Sequence, residues 1–403
     1  MVNYMKNEFK LPFYLAFQSI RRGRKWTLFL TIFLMAVAFI NLVFISALFN
    51  GVVEGSNQQI KNTMTGNVYM APKEGQTSIL NREKLLGKVR NVDNVQAATS
   101  SFQIPAQIKK DARSGSWPVL GIKPEEYSDV FTIPKHMLAG NYLSLNDSNG
   151  IILGRQIAGG EGAELNSTSL KGAKVGDKVI INYSGIEKTL TVRGIFYTKF
   201  TQTDSTAFIT DKALQEMLPQ TKGQATMINI KTLDKNEQKV YTDVKSVDPN
   251  VDTFLWTEAA GLMKSVSSSF TSINVLMTFV GTVIAAVTVF IVIYVDIINR
   301  RRQIGILRAI GIRPYIIVLN YVLLAAVYAT LGVLLGSAIF YFALVPYFQA
   351  HPFSLPITDA VLTISTTEYF TRVEIISWVA IISGLIPALI VTKTKMIDAI
   401  LGR

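Results

Sequence analysis

The chain has 403 residues, of which 49% are hydrophobic and 17% are charged, and its formal net charge is +12. The absence of cysteine excludes disulfide bonds, thiol catalysis and acylation on cysteine. The two histidines, His136 and His351, are far apart in the sequence, which argues against a histidine-based metal site or catalytic triad. The positive charge flanks apolar segments instead of collecting in one domain, so a nucleic-acid-binding protein is not favoured.

The N-terminal region predicts a membrane anchor. Residues 1–25 combine apolar and basic positions, which is typical of a cytoplasmic, interfacial helix. Residues 26–49 are uncharged and apolar, and at about 1.5 Å per residue they can cross a hydrocarbon layer of about 30 Å. This run is long for a cleavable signal peptide and no A-x-A site follows it, so we expect an uncleaved first span.

Residues 50–265 alternate strand-like and helix-like segments, which predicts an α+β extracytoplasmic domain. Asp211 is expected to cap a helix N-terminus. The glycine-rich residues 159–162 lack the spacing of a phosphate-binding loop. The expected strands are Asn67–Ala71, Val95–Ile108, Trp117–Ile122, Lys178–Tyr183, Lys188–Tyr197, Ala207–Thr210 and Ala225–Lys231, and the expected helices are Asn81–Val89, Pro124–Val130, Asp211–Leu218 and Glu237–Val247.

The C-terminal part predicts three more spans. A stalk and the second span occupy residues 266–298, the third span residues 314–348 and the fourth residues 375–391. Residues 349–374 are expected to form an extracytoplasmic loop, and residues 392–403 a cytoplasmic tail. In the third span, Gly332 and Gly336 form a G-x-x-x-G pair, which is typical of close packing against another helix or subunit, although isolated small residues would give the same pattern.

Charge predicts the orientation of the spans. Basic residues exceed acidic ones in residues 1–25, in residues 296–314 and in the C-terminal tail, whereas the loop between the third and fourth spans is net acidic. By the positive-inside rule, both termini and residues 299–313 are cytoplasmic, and residues 50–265 lie outside. The expected fold is therefore a four-helix transmembrane protein with a large α+β extracytoplasmic domain inserted between the first and second spans.

Residues 299–313 separate the second and third spans and are basic and amphipathic. Ile304, Leu307 and Ile310 recur at helical spacing, while arginines occupy the other positions. From the residues alone, two interpretations remain open. The segment is either an interfacial anchor with arginines on lipid headgroups or a coupling helix that contacts another protein.

Four ordered stretches carry a family resemblance that covers nearly the whole chain. The chain resembles the ABC-transporter permeases of the macrolide-exporter (MacB), lipoprotein-release (LolC-LolE) and FtsX group, the type VII or mechanotransmission class. The stretches are Leu15–Leu28; Ile152–Arg155 with Val175–Val179 and Val192–Phe196; Arg301–Gly311; and Gly384–Ala388.

The resemblance implies that residues 299–313 are a coupling helix that contacts an ABC ATPase. Gln303 stands where the family usually has Glu, and Met396 where Pro is common. It also implies a porter-like outer domain with an inserted subdomain at about residues 150–203. The ATPase-coupling residues are then Arg301, Arg302, Gln303, Ile304, Gly305, Ile306, Leu307, Arg308, Ala309 and Gly311, with Gly332 and Gly336 in helix packing.

The same resemblance implies the partners and the reaction. The chain would bind no cofactor and perform no bond chemistry, while ATP and magnesium would bind to a dimeric ATPase that is a separate polypeptide. A second permease copy or a paralogue, membrane lipid and a periplasmic or extracellular accessory protein are further expected partners. No nucleic acid and no metal site are expected, and the location is the cytoplasmic membrane.

Two functions from different classes follow. The first is export or extraction of a lipid, lipoprotein, peptide or drug-like molecule. The alternative is an FtsX-like signalling module that activates an extracellular partner such as a cell-wall hydrolase. A passive surface-anchored binding protein needs only one span and leaves the later spans unexplained.

Overall fold

The structure is a computed structural model that describes residues 12–21, 25–160, 163–165, 167–233, 236–259, 261–355 and 358–393. Most of the expected cytoplasmic tail, including Met396, and residues 1–11 and 22–24 of the expected interfacial helix lie outside the described residues. The chain divides into two compact units. The sheet unit comprises Gly55–Val266 with Ser354–Thr358, and the helical unit comprises the remainder.

Helices of very different length make up both units. Short π-helical turns lie at Lys61–Thr65 and at Phe340–Leu344, each directly after a long α-helix, and short 3-10 helices lie at Ile133–His136 and Pro219–Thr221. The α-helices are α1 (12–21), α2 (Lys25–Ile60), α3 (Arg82–Arg90), α4 (Pro124–Val130), α5 (Arg155–Ala158), α6 (Thr201–Asp204), α7 (Asp211–Met217), α8 (Glu237–Lys245), α9 (Trp256–Ala259), α10 (Gly261–Ala309), α11 (Pro314–Ile339), α12 (Val345–Ala350) and α13 (Thr366–Lys393).

One mixed ten-stranded sheet organises the sheet unit, in the order β10-β1-β9-β2-β3-β8-β5-β7-β4, with β6 paired to β2 and β7. The pairs β3–β8 and β5–β7 are parallel, and the other pairs are antiparallel. The strands are β1 (Val68–Pro72), β2 (Val95–Lys110), β3 (Arg113–Ile122), β4 (Met137–Gly140), β5 (Gly150–Gly154), β6 (Lys178–Tyr183), β7 (Ile186–Phe196), β8 (Ala207–Thr210), β9 (Met227–Thr232) and β10 (Val251–Leu255), with a separate pair β11 (Phe353–Ser354) and β12 (Asp359–Ala360).

Hydrophobic clusters on this sheet show where its cores lie. The first cluster packs α3 and α8 on β1, β9 and β10, with Met70, Leu86 and Val240 fully buried. The second packs α7 on β2, β3 and β5–β8, with Ile151 and Leu214 at its centre. Residues 150–203, expected to be a separate inserted subdomain, therefore share their sheet and core with residues 104–122 and 207–218, because β5 lies between β8 and β7. The ends of that segment therefore do not mark a separate sheet or a separate core.

The expected strands and helices of this unit recur with ends shifted by at most a few residues, and β4, β5 and β10 were not expected. β5 is a short, fully buried apolar run without the alternation that marks a half-buried strand, while β4 and β10 are edge strands. The expected N-cap Asp211 is instead the first helical residue of α7. The hydroxyl of Thr210 accepts a hydrogen bond from the Ala213 amide at 3.1 Å, so Thr210 is the N-cap.

Within the described part of the chain, four helices are long and apolar enough to cross a membrane: Leu28–Thr65, Thr271–Ala309, Pro314–Ala350 and Thr366–Ile390. These helices correspond to the four expected spans. Close contacts between them involve glycine. A Cβ added to Gly384 would lie 2.8 Å from the Ala325 Cβ and 3.0 Å from the Ile293 Cδ1, so α13 approaches α10 and α11 at that position.

The helix that contains the expected fourth span is longer than residues 375–391, because α13 begins at Thr366. The sequence Ser365-Thr-Thr-Glu368 forms a capping box, in which the Glu368 amide donates to the Ser365 hydroxyl at 3.2 Å and the Ser365 amide faces the Glu368 carboxylate at 3.4 Å. The Asn50 side-chain amide donates to the same carboxylate at 2.6 Å, which ties the start of α13 to α2. Residues 366–374, expected in the loop at 349–374, are thus helical.

Candidate coupling surface and its connection to the sheet unit

Residues 299–309 of the expected coupling helix at 299–313 are the last part of α10, a single 49-residue helix from Gly261 to Ala309. This differs from the expected separate helix. No proline interrupts α10. Where the apolar run ends, Asp296 and Arg300 form an ion pair one turn apart at 3.0 Å, and such a pair stabilises a helix. The change from apolar to charged sequence therefore does not end the helix.

A Schellman motif ends α10. Gly311 has a φ of 96°, its amide donates to the Arg308 carbonyl, and the Ile312 amide donates to the Leu307 carbonyl, both at 3.1 Å. Leu307 and Ile312 both pack against the core of the helical unit, as this motif favours. Pro314 then opens α11 at its first turn. The reversal between the second and third spans is thus a tight, defined turn.

The coupling residues divide between a buried and an exposed face. Ile304, at 3% exposure, packs in one cluster with Ile317 and Tyr321 of α11, and Gly305 is also buried. The exposed set, which we call the coupling surface, includes two large apolar side chains, Ile306 at 48% and Ile310 at 71% exposure. Its members are Arg301, Arg302, Gln303, Ile306, Ala309, Ile310 and Gly311, whereas Leu307 and Arg308 are half-buried.

Ile310 was expected on the same apolar stripe as Ile304 and Leu307, and the structure corrects this. Ile310 follows the last residue of α10 and its amide donates to the Ile306 carbonyl at 3.1 Å, and its side chain is exposed where that of Ile304 is buried. The coupling surface therefore combines exposed isoleucine with arginine and glutamine. This mixture is typical of a surface that contacts another protein.

The expected packing pair in the third span, Gly332 and Gly336, faces α2 of the same chain. A Cβ on Gly332 would lie 2.5 Å from the Met35 Cβ, and one on Gly336 would lie 2.9 Å from a ring carbon of Phe39 and 3.0 Å from the Ala36 carbonyl oxygen. Only hydrogen fits at either position. The pair therefore supports contact between α11 and α2.

In the sheet unit, Glu237 joins the residues that follow α2 to those that precede α10. Its carboxylate accepts hydrogen bonds from the Trp256 indole at 2.9 Å and from the Asn67 side-chain amide at 2.6 Å. The same carboxylate lies 3.4 Å from the Lys61 ammonium. The Lys61 ammonium also lies 5.2 Å from the centre of the Trp256 ring. Sequence reasoning missed this cluster, because its members are far apart in the chain and match no motif.

Asp204 is a fully buried carboxylate at the end of α6. Its Oδ1 accepts from the Thr198 amide at 2.8 Å and the Thr198 hydroxyl at 2.9 Å, while its buried Oδ2 has no hydrogen-bond partner among the residues that the structure describes. Burial raises the pKa of Asp204 to about 6, against the two Thr198 hydrogen bonds, which lower it. Among the described residues, no group of three or more His, Asp or Glu side chains is placed to hold a metal ion.

Among the described residues, four long apolar helices and a mixed α/β sheet unit define a multi-pass membrane protein with a large globular domain. The family model of the MacB-like periplasmic core domain matches residues 28–247, more than half of the chain, and that of the FtsX-like permease C-terminal domain matches residues 275–396. The chain belongs to the family of ABC-transporter permeases that combine these two domains.

The chain is also similar, at low sequence identity, to solved structures of extracytoplasmic domains. The extracellular domain of the ABC-type transporter YknZ from Gram-positive bacteria is 13% identical, with a TM-score of 0.35, over 46% of this chain and 97% of that domain. The periplasmic region of MacB from Actinobacillus actinomycetemcomitans is 12% identical, with a TM-score of 0.35, over 49% of this chain and 92% of that region. No curated protein sequence matches the chain. The family assignment rests on the two family models.

Proposed function

We propose that this ABC-transporter permease couples ATP hydrolysis by a partner ATPase to movement of its sheet unit, for export or extraction of a substrate on the outer side of the membrane. The observation that carries the proposal is the position of the coupling surface, at the end of an unbroken 49-residue helix. A continuous helix transmits an axial displacement with little loss, because each residue is held by hydrogen bonds to its neighbouring turns.

The proposed topology has both termini and the coupling surface in the cytoplasm and the sheet unit outside, inserted between the first and second spans. The basic flanks of the spans support it. The order of elements supports it as well, since β1–β10 follow α2 and precede α10.

The proposed movement begins at the coupling surface. Closure of a dimeric ATPase would displace Ile306, Ile310 and the neighbouring arginines, and the Schellman turn would move with them because its hydrogen bonds hold it to α10. Gln303 is exposed at the start of this surface. In place of the family's Glu it offers an amide hydrogen bond to the ATPase instead of an ion pair.

In the sheet unit, the proposed receiver of this movement is the cluster around Glu237. That carboxylate bonds residues near the end of α2 and the start of α9, so a displacement of one segment is passed to the other. The permease needs no reacting group for this role. ATP and magnesium act in the partner, as the family implies.

Co-purification of the partner ATPase with the full-length chain tests the proposal. The double variant Ile306→Asp, Ile310→Asp places two charges on the exposed apolar part of the coupling surface, and Leu138→Asp, at a position 55% exposed in the sheet unit, is its matched control. We expect the double variant to bind the ATPase at least tenfold more weakly and to lose stimulated ATP hydrolysis, while the control retains both. Equal binding by both variants would refute an ATPase contact at this surface.

A further inference from the structure

A cleft of about 390 Å³ lies in the sheet unit, within the range of about 300–1,000 Å³ typical of small-molecule sites. Its apolar part is formed by Met64, Leu120, Tyr127, Phe208 and Met227. These side chains come from the residues after α2, from β3, β8 and β9, and from α4, so the cleft depends on the folded arrangement of several elements and not on one surface loop.

The polar part of the cleft is uncharged. Hydroxyl and amide groups of Thr63, Gln103, Gln202, Thr206 and Asn229 line it, and no lysine, arginine, aspartate, glutamate or histidine does among the described residues. The larger cleft of about 590 Å³ on the same unit differs, since Lys123, Lys212, Lys222, Asp211 and Glu216 line it. The composition of the smaller cleft therefore disfavours an ionic ligand, which would lose its hydration without gaining a charged partner.

Two amide side chains are available for hydrogen bonding at this cleft. Gln103 and Gln202 are exposed, and within the described part of the chain their side-chain amides make no hydrogen bond. Each amide offers a donor and an acceptor, as a ligand with a hydroxyl, ester or amide group requires. The cleft thus combines an apolar wall with neutral polar groups, which matches an uncharged amphiphile.

The position of the cleft connects it with the segments that lead to the spans. Its wall includes Ile60 and Met64, at the end of α2 and in the π-helical turn after it, and Ala259, the last residue of α9. The hydroxyls of Thr63 and Thr203 lie 3.0 Å apart beside it. A π-helical turn of this kind occurs often at functional sites. A ligand in the cleft would contact both chain segments whose movement the proposed function requires.

We infer that this cleft binds an uncharged amphiphile, meaning a molecule with an aliphatic chain and a neutral hydroxyl, ester or amide group. The inference rests on the proposed function for its role, which is to present such a molecule to the moving segments after α2 and before α10. The binding itself does not depend on the ATPase.

Photolabelling of the full-length protein in lipid nanodiscs, without ATPase or nucleotide, tests the binding. The probe is a twelve-carbon alcohol that carries a diazirine on its chain, and labelled peptides are identified by mass spectrometry. Competition uses dodecanol, dodecanoate and dodecylamine, which share the chain and differ in charge. We expect labelling of peptides containing Met64, Leu120 or Met227, with dodecanol competing at least tenfold better than either ion.

Two variants and a control make the result specific. Gln202→Trp covers the cleft from an exposed position and should reduce labelling at least tenfold, whereas Gln220→Trp, also exposed on the same unit but outside the cleft, should not change it. Gln103→Lys adds a positive charge and should make dodecanoate the best competitor. The inference would be overturned if Gln202→Trp left the extent of labelling unchanged, or if all three compounds competed equally.

The outcomes separate this inference from the proposed function. If the Ile306→Asp, Ile310→Asp variant loses ATPase binding and is still labelled, the result supports both the coupling proposal and the cleft. Labelling without any ATPase contact supports the cleft alone. An ATPase contact without labelling refutes the cleft and leaves the coupling proposal standing.

Discussion

At the scale of single residues, Arg82 and Asp211 form a buried ion pair that joins the two main cores of the sheet unit. Arg82 on α3 is 4% exposed, and its Nη1 lies 2.9 Å from Oδ1 of Asp211, the first residue of α7. The Gln215 amide adds a bond to the same carboxylate at 2.7 Å. The pair holds the pKa of Arg82 above its usual value, mainly through the hydrogen bond to Asp211. It thus fixes α3 against α7.

Removal of one partner should destabilise this unit strongly. Arg82→Met leaves the Asp211 carboxylate buried without its cation, and we expect a loss of about 3–5 kcal/mol in the free energy of unfolding. The double variant Arg82→Met, Asp211→Leu removes both charges and should recover most of that loss. Urea unfolding of the full-length protein measures both values. A loss below about 1 kcal/mol in the single variant would contradict this role.

Asp204 predicts a specific pH dependence. Its pKa of about 6 in the folded protein lies above the ordinary value of 3.8, so between these values the folded state holds a proton that the unfolded state has released. Stability from this group is therefore complete below about pH 4 and falls as the pH rises to about 6, by on the order of 3 kcal/mol. Above pH 6 the effect is constant.

Asp204→Asn isolates this effect, because the amide oxygen can still accept from Thr198 while the group stays neutral. The thermal midpoint of the variant relative to wild type should rise between pH 4 and pH 6 and then level off. Circular dichroism of the full-length protein follows both midpoints. A difference independent of pH from 4 to 7 would show that Asp204 does not titrate in this range.

At the scale of elements, the contact of α11 with α2 depends on glycine. Gly332→Ala would bring a methyl group within 2.5 Å of the Met35 Cβ and force the helices apart, at a cost of about 1–3 kcal/mol. Gly87→Ala, within α3 where nothing lies near the new Cβ, is the matched control and should stabilise by about 0.5–1 kcal/mol. Thermal denaturation compares the two, and a neutral Gly332→Ala would contradict the close contact.

Helices and strands were predictable from the sequence where burial leaves a pattern of apolar residues. Spans were predicted from long apolar runs, and half-buried strands from alternating residues. The start of α13 at Thr366 was missed because polar residues open it, although the capping box Ser365–Glu368 was readable in the sequence. The continuity of α10 was missed because the uncharged apolar run ends before Asp296, while the helix continues to Ala309, before the Schellman turn at Gly311. A change from apolar to charged residues therefore does not mark the end of a helix.

The candidate site was predictable only in part. The sequence indicated the segment that contains Arg301, Arg302 and Gln303, and the resemblance indicated its role. Neither the sequence pattern nor the resemblance indicated that Ile304 is buried while Ile306 and Ile310 are exposed. That division depends on where α11 packs and where α10 ends. The Glu237 cluster depends on tertiary contacts between distant residues, which spacing does not encode.

At the scale of the whole molecule, two helices connect the two units along the chain. α2 and α10 each begin in one unit and end in the other. In the proposed mechanism, movement enters at the coupling surface and reaches the segments 60–65 and 256–259, which line the uncharged cleft or bond to Glu237. Transport and signalling would both use this movement, and they differ in what the sheet unit contacts.

The most direct measurement is hydrogen exchange of the backbone amides in residues 60–65 and 256–259 of the full permease–ATPase complex in nanodiscs, with and without a non-hydrolysable ATP analogue. We expect the analogue to change the exchange rates in both segments of the wild-type complex. The Gly87→Ala variant should behave like wild type, since Gly87 lies outside the proposed path. Identical exchange in both nucleotide states, in a complex that hydrolyses ATP, would contradict the coupling of ATP to the sheet unit.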